Sequence, residues 1–193
     1  MRDPTFKRWQ KEHLRDPHVA DLNAFVDELT NRKGDFVPHV SPEFGGKNAR
    51  VLFLLLSPGV RTYDDNGAPG SGFLSVENDD DAAFRIAEAM DAAQLDVTDC
   101  VGWNVYPWYV KGMSGLTPEQ QRPYLVEGSE LLIHLIAKLP ELRSVLVFGG
   151  APEFAWNIFG KQYPRTRRSL RYFHHRSTGN QGYRGSANQQ SLW

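Results

Sequence analysis

The hydrophobic positions of this chain fall into short unbroken runs separated by longer amphipathic stretches. Residues 51–56 and 144–148 are almost entirely apolar, and residues 97–106 and 170–173 are weaker runs of the same kind. Short apolar runs are typical of strands that are buried on both faces of a parallel sheet. We therefore predict four strands at these positions.

Amphipathic helices are predicted before and between the strands, over residues 20–32, 81–94, 117–138 and 151–159. The acidic run 78–81 offers an N-cap to the second of these helices, and capping is favoured over metal binding as its role. We expect this helix to bury Phe84, Ile86, Ala87 and Met90.

The alternation of helices and strands predicts the fold class. Right-handed crossovers between successive strands give a parallel sheet with helices on both faces. The expected class is α/β, a three-layer α/β/α fold around a central, mainly parallel four-stranded sheet. The length of 193 residues fits one domain over residues 1–193, with an N-terminal helical segment at residues 1–35.

Composition adds one feature to this picture, the distribution of charge. The net charge is −1, but Glu153 is the last acidic residue, and seven Lys and Arg residues follow it. Residues 160–193 therefore form a basic C-terminal segment. A one-sided basic segment is the usual electrostatic footprint of a phosphate-binding surface, and a solvated basic tail is the alternative.

The single cysteine, Cys100, limits the chemistry further. One thiol cannot form an internal disulfide, a thiolate zinc site or a cysteine-held iron–sulfur cluster. The N-terminus is polar, and no apolar stretch approaches the roughly 18 residues that span a bilayer. We expect a cytoplasmic monomer with no signal peptide, no membrane partner, no metal and no cofactor.

Polar residues follow all four predicted strands, and these strand ends should meet at one edge of the sheet, where α/β proteins bind ligands. The first strand leads into a long loop with four glycines and two prolines, and loops of that length are usually functional or disordered. The candidate residues at this edge are Ser57, Gly59, Asp64, Asp65, Asn66, Phe73, Asn104, His174, His175, Ser177 and Asn180.

Several familiar chemistries lack support at this edge. Ser57 precedes a proline and lacks the GxSxG elbow of a serine hydrolase, although an unrelated hydrolase stays open as an alternative. No GxxxxGK[ST] loop occurs, and no GxGxxG follows a strand, so nucleotide cofactors are not supported.

Three segments at these strand ends resemble motifs of the uracil-DNA glycosylase superfamily, particularly of its bacterial single-domain members. The first is Leu-Ser-Pro-Gly at residues 56–59, followed by a loop that reaches Phe73. The second is Trp-Asn-Val-Tyr-Pro at residues 103–107. The third is His-Arg-Ser-Thr-Gly-Asn at residues 175–180. The resemblance covers residues 37–180.

The resemblance implies cleavage of an N-glycosidic bond in DNA, single- or double-stranded. Phe73 would stack on a flipped-out uracil or modified pyrimidine, and Asn104 would read its edge, because an amide both donates and accepts. His175 would stabilise the leaving base. The DNA backbone would be bound by groups near Gly59 and by Arg176, Ser177, Asn180 and Arg184, together with the basic C-terminal segment.

The first and last motifs depart from the family pattern. Leu56 and Ser57 occupy the positions where family members carry a carboxylate or amide, and Asp64 or Asp65 is the replacement we consider. Arginine replaces the proline of the last motif, so His174 is an alternative to His175. These departures leave open a catalytically silent DNA-binding protein, or a glycosylase specialised for the hypermodified bases of foreign DNA.

Overall fold

The computed structural model describes residues 3–63 and 70–175, and a parallel sheet forms its centre. In chain order the strands are β1 (His39–Val40), β2 (Val51–Leu55), β3 (Phe73–Leu74), β4 (Cys100–Asn104), β5 (Ser144–Phe148) and β6 (Arg171–His175). Four of them form the main sheet in the order β4-β2-β5-β6, and every pair is parallel. The predicted α/β class with a four-stranded parallel sheet is confirmed.

The helices are α1 (Pro4–Glu12), α2 (Ala20–Lys33), α3 (Asp81–Ala92), α4 (Pro118–Ile136), α5 (Gly150–Gln162) and α6 (Pro164–Ser169). Local sequence explains several of their ends. Asp80 caps α3 by accepting hydrogen bonds from the first-turn amides, as the acidic run predicts. Thr117 and Gln120 form a capping box at the start of α4. Gly34 ends α2 in the left-handed conformation.

The two faces of the sheet are distinguished by which helix covers them. Tyr172 and His174 of β6 contact Glu153 of α5, so α5 packs on their face. Strand register places Trp103 on that same face. The ring of Phe25 in α2 stacks on the Trp103 ring, with 5.8 Å between the ring centroids. The right-handed rule for crossovers puts α3 on the other face. We call these the α5 face and the α3 face, and the result is the three-layer arrangement.

Three features of the fold differ from the sequence-based expectation. The β1–β3 ribbon and α6 lie where no strand or helix was predicted. Phe84 is 63% exposed and Ala87 is exposed as well, because α3 buries the stripe Ala83, Ile86 and Met90, and each of the two lies one residue off it. β4 begins later than expected, because residues 97–99 form a one-turn 3-10 helix that Asp96 caps.

The length and hydrophobicity of the helices decide whether any of them could cross a membrane. Among residues 3–63 and 70–175, no helix combines the length and the apolar character needed to cross a bilayer. The longest, α4, has 19 residues and carries several charged side chains. Its face toward the sheet is apolar, with Leu125, Leu132 and Leu135 buried.

The close approach of α4 to the end of β4 generates a prediction. A Cβ added at Gly128 would lie 2.3 Å from the Val105 carbonyl oxygen, which is backbone and cannot move aside cheaply. We expect Gly128→Ala to lower the free energy of unfolding by about 1–3 kcal/mol, measured by urea denaturation. Gly115→Ala is the control, since its Cβ would meet nothing within 4 Å. Equal losses in the two variants would contradict this packing.

Candidate functional site

The carboxyl ends of β2, β4, β5 and β6 form one edge of the main sheet, which we call the carboxyl edge. Register pairs Leu55 with Asn104 and Phe148 with His175. The β2–β5 register, continued by one residue, sets Leu55 beside Phe148. Residues in register on parallel strands point to the same face, so these four side chains form one row on the α3 face.

The strand order locates a crevice at this edge. The chain continues from β2 to β4 on one side and places β5 and β6 on the other, so the order reverses between β2 and β5. Ligands of open α/β sheets bind at such a switch point. Residues 56–59 leave β2 on one side of it. Gly149, with φ of 93°, turns the chain from β5 into α5 on the other side.

Asn104 is the most informative side chain of the row. It is 2% exposed, and its Nδ2 is buried without a hydrogen-bond acceptor in the described part of the chain. Asn23, also buried, shows what a structural amide looks like here. Its Nδ2 donates to the carbonyls of Leu14 and Val40, and its Oδ1 accepts from the Val40 amide. A buried amide donor without an acceptor costs stability. At the end of a strand on the edge where α/β proteins bind ligands, such a donor is a candidate for a group that a ligand completes.

The two histidines at the end of β6 point to opposite faces. His175 shares the α3 face with Asn104, is exposed, and has its ring 5.5 Å from the ring of Phe148. His174 lies on the α5 face, where its Nδ1 is 3.3 Å from a Glu153 carboxylate oxygen. The same oxygen accepts a hydrogen bond from Tyr172, and burial together with Glu153 raises the pKa of that phenol to about 12. Of the two candidates, only His175 therefore lies on the face of Asn104.

Phe73 is held in the β1–β3 ribbon, which packs beside β4. Its side chain is 3% exposed, and its ring lies 6.2 Å from the ring of His39. His39 in turn is fixed by Asp27, at 2.9 Å. Burial raises the pKa of Asp27, but hydrogen bonds from His39 and Arg15 outweigh burial and hold that pKa below its ordinary value.

The long loop is closed at its base, although its middle lies outside the described residues. The Thr62 carbonyl accepts from the Gly72 amide, and the Arg61 carbonyl accepts from Ser71. Tyr63 stacks on Tyr109 at 4.2 Å between ring centroids. The entry and the exit of the loop are therefore fixed side by side, and Phe73 begins directly after the exit.

Glu43 is a carboxylate that the sequence analysis did not single out. Its Oε1 accepts hydrogen bonds from the Ser75 hydroxyl at 2.5 Å and from the Val76 amide at 3.1 Å. Burial raises the pKa of the Glu43 carboxyl, and these hydrogen bonds offset only part of that effect. No periodic or motif signal marks this residue. Its contacts fasten the segment that follows Phe73.

The remaining predicted site residues have simple outcomes. Ser57 is half-buried, and its hydroxyl makes no hydrogen bond to a histidine within the described ranges, so the geometry gives no support to a serine triad. Gly59 is exposed at the start of the loop, where its carbonyl accepts from Thr62 and Tyr63. Asp64, Asp65, Asn66, Arg176, Ser177, Asn180 and Arg184 lie outside the described residues.

Charge at the carboxyl edge is uneven. An open hollow of about 540 Å³ lies at the start of α3 and is lined by Glu77, Asp79, Asp80 and Asp81. Phosphate would be repelled there. No group of three His, Cys, Asp or Glu side chains within residues 3–63 and 70–175 is arranged to hold a metal. A polyanion is therefore favoured on the β5–β6 side of the edge, away from α3.

The unpaired amide of Asn104 generates the first prediction of this subsection. Asn104→Leu removes a buried donor and keeps a similar volume, so we expect the free energy of unfolding to rise by about 1–2 kcal/mol. Asn23→Leu, the matched control, should lower it by about 2 kcal/mol or more, because three backbone groups lose a partner. Urea denaturation of both variants measures this. A loss of stability in Asn104→Leu would contradict the assignment.

The raised pKa of Glu43 generates the second prediction of this subsection. A carboxyl with a raised folded-state pKa holds its proton to higher pH when folded, so its ionisation lowers stability as pH rises through that pKa. Gln keeps the Oε1 acceptor and stays neutral. Glu43→Gln should therefore be more stable than wild type at pH 7, and the difference should vanish below pH about 4, where the unfolded carboxyl is also protonated. Urea midpoints across this range, with exposed Glu88→Gln as control, measure it. A difference in stability between Glu43→Gln and wild type that does not change with pH would contradict this prediction.

The site was also compared with known proteins. A scan of protein-family models and a search of curated proteins gave no match to this chain. The resemblance in the three motifs therefore stays a prediction. Strand order, the row at the carboxyl edge and the unpaired amide of Asn104 support the functional argument independently of any relative.

Proposed function

We propose that the protein is a DNA glycosylase, which hydrolyses the N-glycosidic bond of a flipped-out uracil or modified pyrimidine and leaves an abasic site. The observation that carries the proposal is the buried amide of Asn104, with Nδ2 unpaired, at the carboxyl edge. A pyrimidine offers a carbonyl oxygen to such a donor. An amide can also accept from a ring N–H, which allows it to recognise both groups.

The row at the carboxyl edge has a width that suits one base. Three inter-strand spacings separate Asn104 from His175, which is about 14 Å between Cα atoms. Both side chains extend from the same face. Leu55 and Phe148, which are apolar and half-buried, lie between them in the row. Apolar side chains with a few polar groups beside them are the usual lining of a small-molecule site.

The chemistry would divide between these groups. Breaking the bond between the sugar C1′ and the base nitrogen leaves positive charge on the sugar and negative charge on the base. His175 would donate to a base oxygen where that charge develops. Water then bonds to C1′ and releases one proton. Extruding the base costs a few kcal/mol, which new hydrogen bonds to Asn104 would offset, together with stacking on Phe73 once its ring, 3% exposed in the free protein, is uncovered.

The backbone flanking the flipped nucleotide would lie at the switch point. α5 begins there, and Gly149 at its N-cap supplies no side-chain hydrogen bond, so the amides of Gly150 and Ala151 are the two in the first turn that could bind an acceptor; Pro152 has no N–H. Helix N-termini bind phosphate through such amides. β6 ends on the side of the edge away from the acidic hollow, and Arg176 directly follows it in sequence.

A catalytically silent DNA-binding protein is the second candidate, and one observation favours it. Leu56 and Ser57 supply no carboxylate at the end of β2, where the family resemblance would place the group that orients water. Glu43 is not a replacement at the end of β2, because it is largely buried and its Oε1 accepts hydrogen bonds from Ser75 and Val76, which follow the ribbon.

The test is alkali-revealed strand cleavage of labelled oligonucleotides that carry uracil, other damaged bases or hypermodified cytosines. We expect cleavage of at least one substrate. Asn104→Leu should abolish it while the protein stays folded and stable, so the loss cannot be ascribed to unfolding. Binding of these oligonucleotides without cleavage of any would favour the silent binder, and neither binding nor cleavage would overturn both candidates.

The paired histidines give a matched control. His175→Gln should lower the cleavage rate by roughly 100-fold, as loss of one group at a developing charge does. His174→Gln should leave the rate within a few-fold and act on stability instead, because His174 contacts Glu153 on the other face. The reverse order of effects would contradict the role given to His175.

A further inference from the structure

The edge of the sheet opposite the candidate site carries an unexpected concentration of positive charge. We call it the amino edge, since β2, β5 and β6 begin there. The Arg143 and Ser144 amides donate to the Arg50 carbonyl, and the Arg171 amide donates to the Arg143 carbonyl. These bonds bring Arg143 and Arg171, which precede or open neighbouring strands, side by side.

α5 and α6 bring further cations to the same edge. α5 begins at the carboxyl edge and returns across the sheet, so its last residues and α6 lie next to the start of β6. Arg167 fixes α6 in place, with its guanidinium 4.6 Å from the Tyr172 ring centroid and its side chain against Gly160. The described part of the basic C-terminal segment, up to Arg171, is therefore remote from the candidate site.

Five cations of this edge are exposed and have no ion-pair or hydrogen-bond partner in the described structure: Arg143, Lys161, Arg165, Arg168 and Arg171. We call them, with Tyr163, the amino-edge patch. Tyr163 is 36% exposed and joins α5 to α6. Arg50 is not part of the patch, because Asp99 neutralises it through two hydrogen bonds. The nearest carboxylate in sequence is the exposed Glu141, and no acidic residue follows Glu153.

We propose that the amino-edge patch binds the phosphate backbone of a nucleic acid, as a contact surface separate from the candidate site. Four of its five cations are arginines, whose planar fork matches phosphate oxygens in pairs. An exposed tyrosine among them adds a stacking face for a base. Unpaired exposed cations on several elements are the electrostatic footprint of polyanion binding.

The chemistry of the patch favours nucleic acid over an anionic membrane. A membrane-bound helix needs an apolar face to insert, and α6 reads Pro-Arg-Thr-Arg-Arg-Ser, with no residue that could supply one. Five-residue strands separate the two edges by about 17 Å, and the edges face in opposite directions. One straight duplex cannot lie on both, so the patch engages a second segment.

The test uses the full chain and labelled oligonucleotides without any lesion, single-stranded and duplex, in fluorescence anisotropy from 50 to 200 mM salt. In Arg165→Gln/Arg168→Gln the slope of log K against log salt on duplex should fall by about 1.8, since each lost phosphate contact contributes about 0.9. Arg8→Gln/Lys11→Gln is the matched control, because it removes two exposed charges on α1 and should change the slope by much less.

Two results would overturn the proposal. One is an unchanged slope, or an equal change in the control, which would mean that net charge alone is responsible. The other is that Arg165→Gln/Arg168→Gln loses binding to vesicles with one-third anionic lipid but binds oligonucleotides as wild type does. That result would assign the patch to membranes. The proposal does not depend on the glycosylase activity. At saturating protein concentration, Arg165→Gln/Arg168→Gln should cleave as wild type does. If wild type cleaves nothing, the binding result still tests the patch.

Discussion

The register of β2 with its two neighbours is the constraint on which the rest of this structure depends. β2 leads into the long glycine-rich loop, and its pairing with β4 continues past the strand, where the Val105 and Tyr106 amides donate to the Leu55 and Leu56 carbonyls. That pairing fixes the position of Asn104 along the strand direction, opposite Leu55. Pairing with β5 on the other side fixes the level of Phe148, and through it His175. A shift by one residue would exchange every side chain between the two faces. The row at the carboxyl edge is therefore a consequence of the hydrophobic run in β2, and it exists before any ligand binds.

Stability and site chemistry are in opposition at that row. The core around it is well packed, with Trp103, Trp108 and Phe53 almost fully buried. Within such a core an amide donor without an acceptor is costly, and the chain shows in Asn23 that it can satisfy a buried asparagine completely. The difference between the two asparagines is one of position: Asn23 lies where loops can supply backbone groups, while Asn104 ends a strand beside apolar side chains. Under the proposed function, the flipped-out base is the group that would complete it.

The sequence predicts the strands and most helices because apolar runs, caps and amphipathic stripes are local signals. It does not predict the β1–β3 ribbon, since two-residue strands carry no periodicity and pair only because the long loop closes on itself. α6 is not predicted for a similar reason: its six residues include no apolar stripe, and the helix is held by Arg167, which packs against the rings of Trp156 and Tyr172. The two histidines show the same limit at the site. Adjacent residues of a strand point to opposite faces, and which of them faces Asn104 depends on the register with β5, which the sequence does not reveal.

The distribution of charge is the last consequence of this topology. Counted along the sequence, the basic C-terminal segment appears continuous with the last motif. In three dimensions β6 divides it, because a strand carries the chain from one edge of the sheet to the other. The described cations of this segment that precede β6 lie at the amino edge, while β6 itself ends at the carboxyl edge, and Arg176 follows it in sequence. An acidic start of α3 adds to the separation. The net charge of −1 thus conceals an acidic hollow at the start of α3 and a basic patch at the amino edge, so a polyanion that approaches this protein meets an oriented field rather than a uniform one.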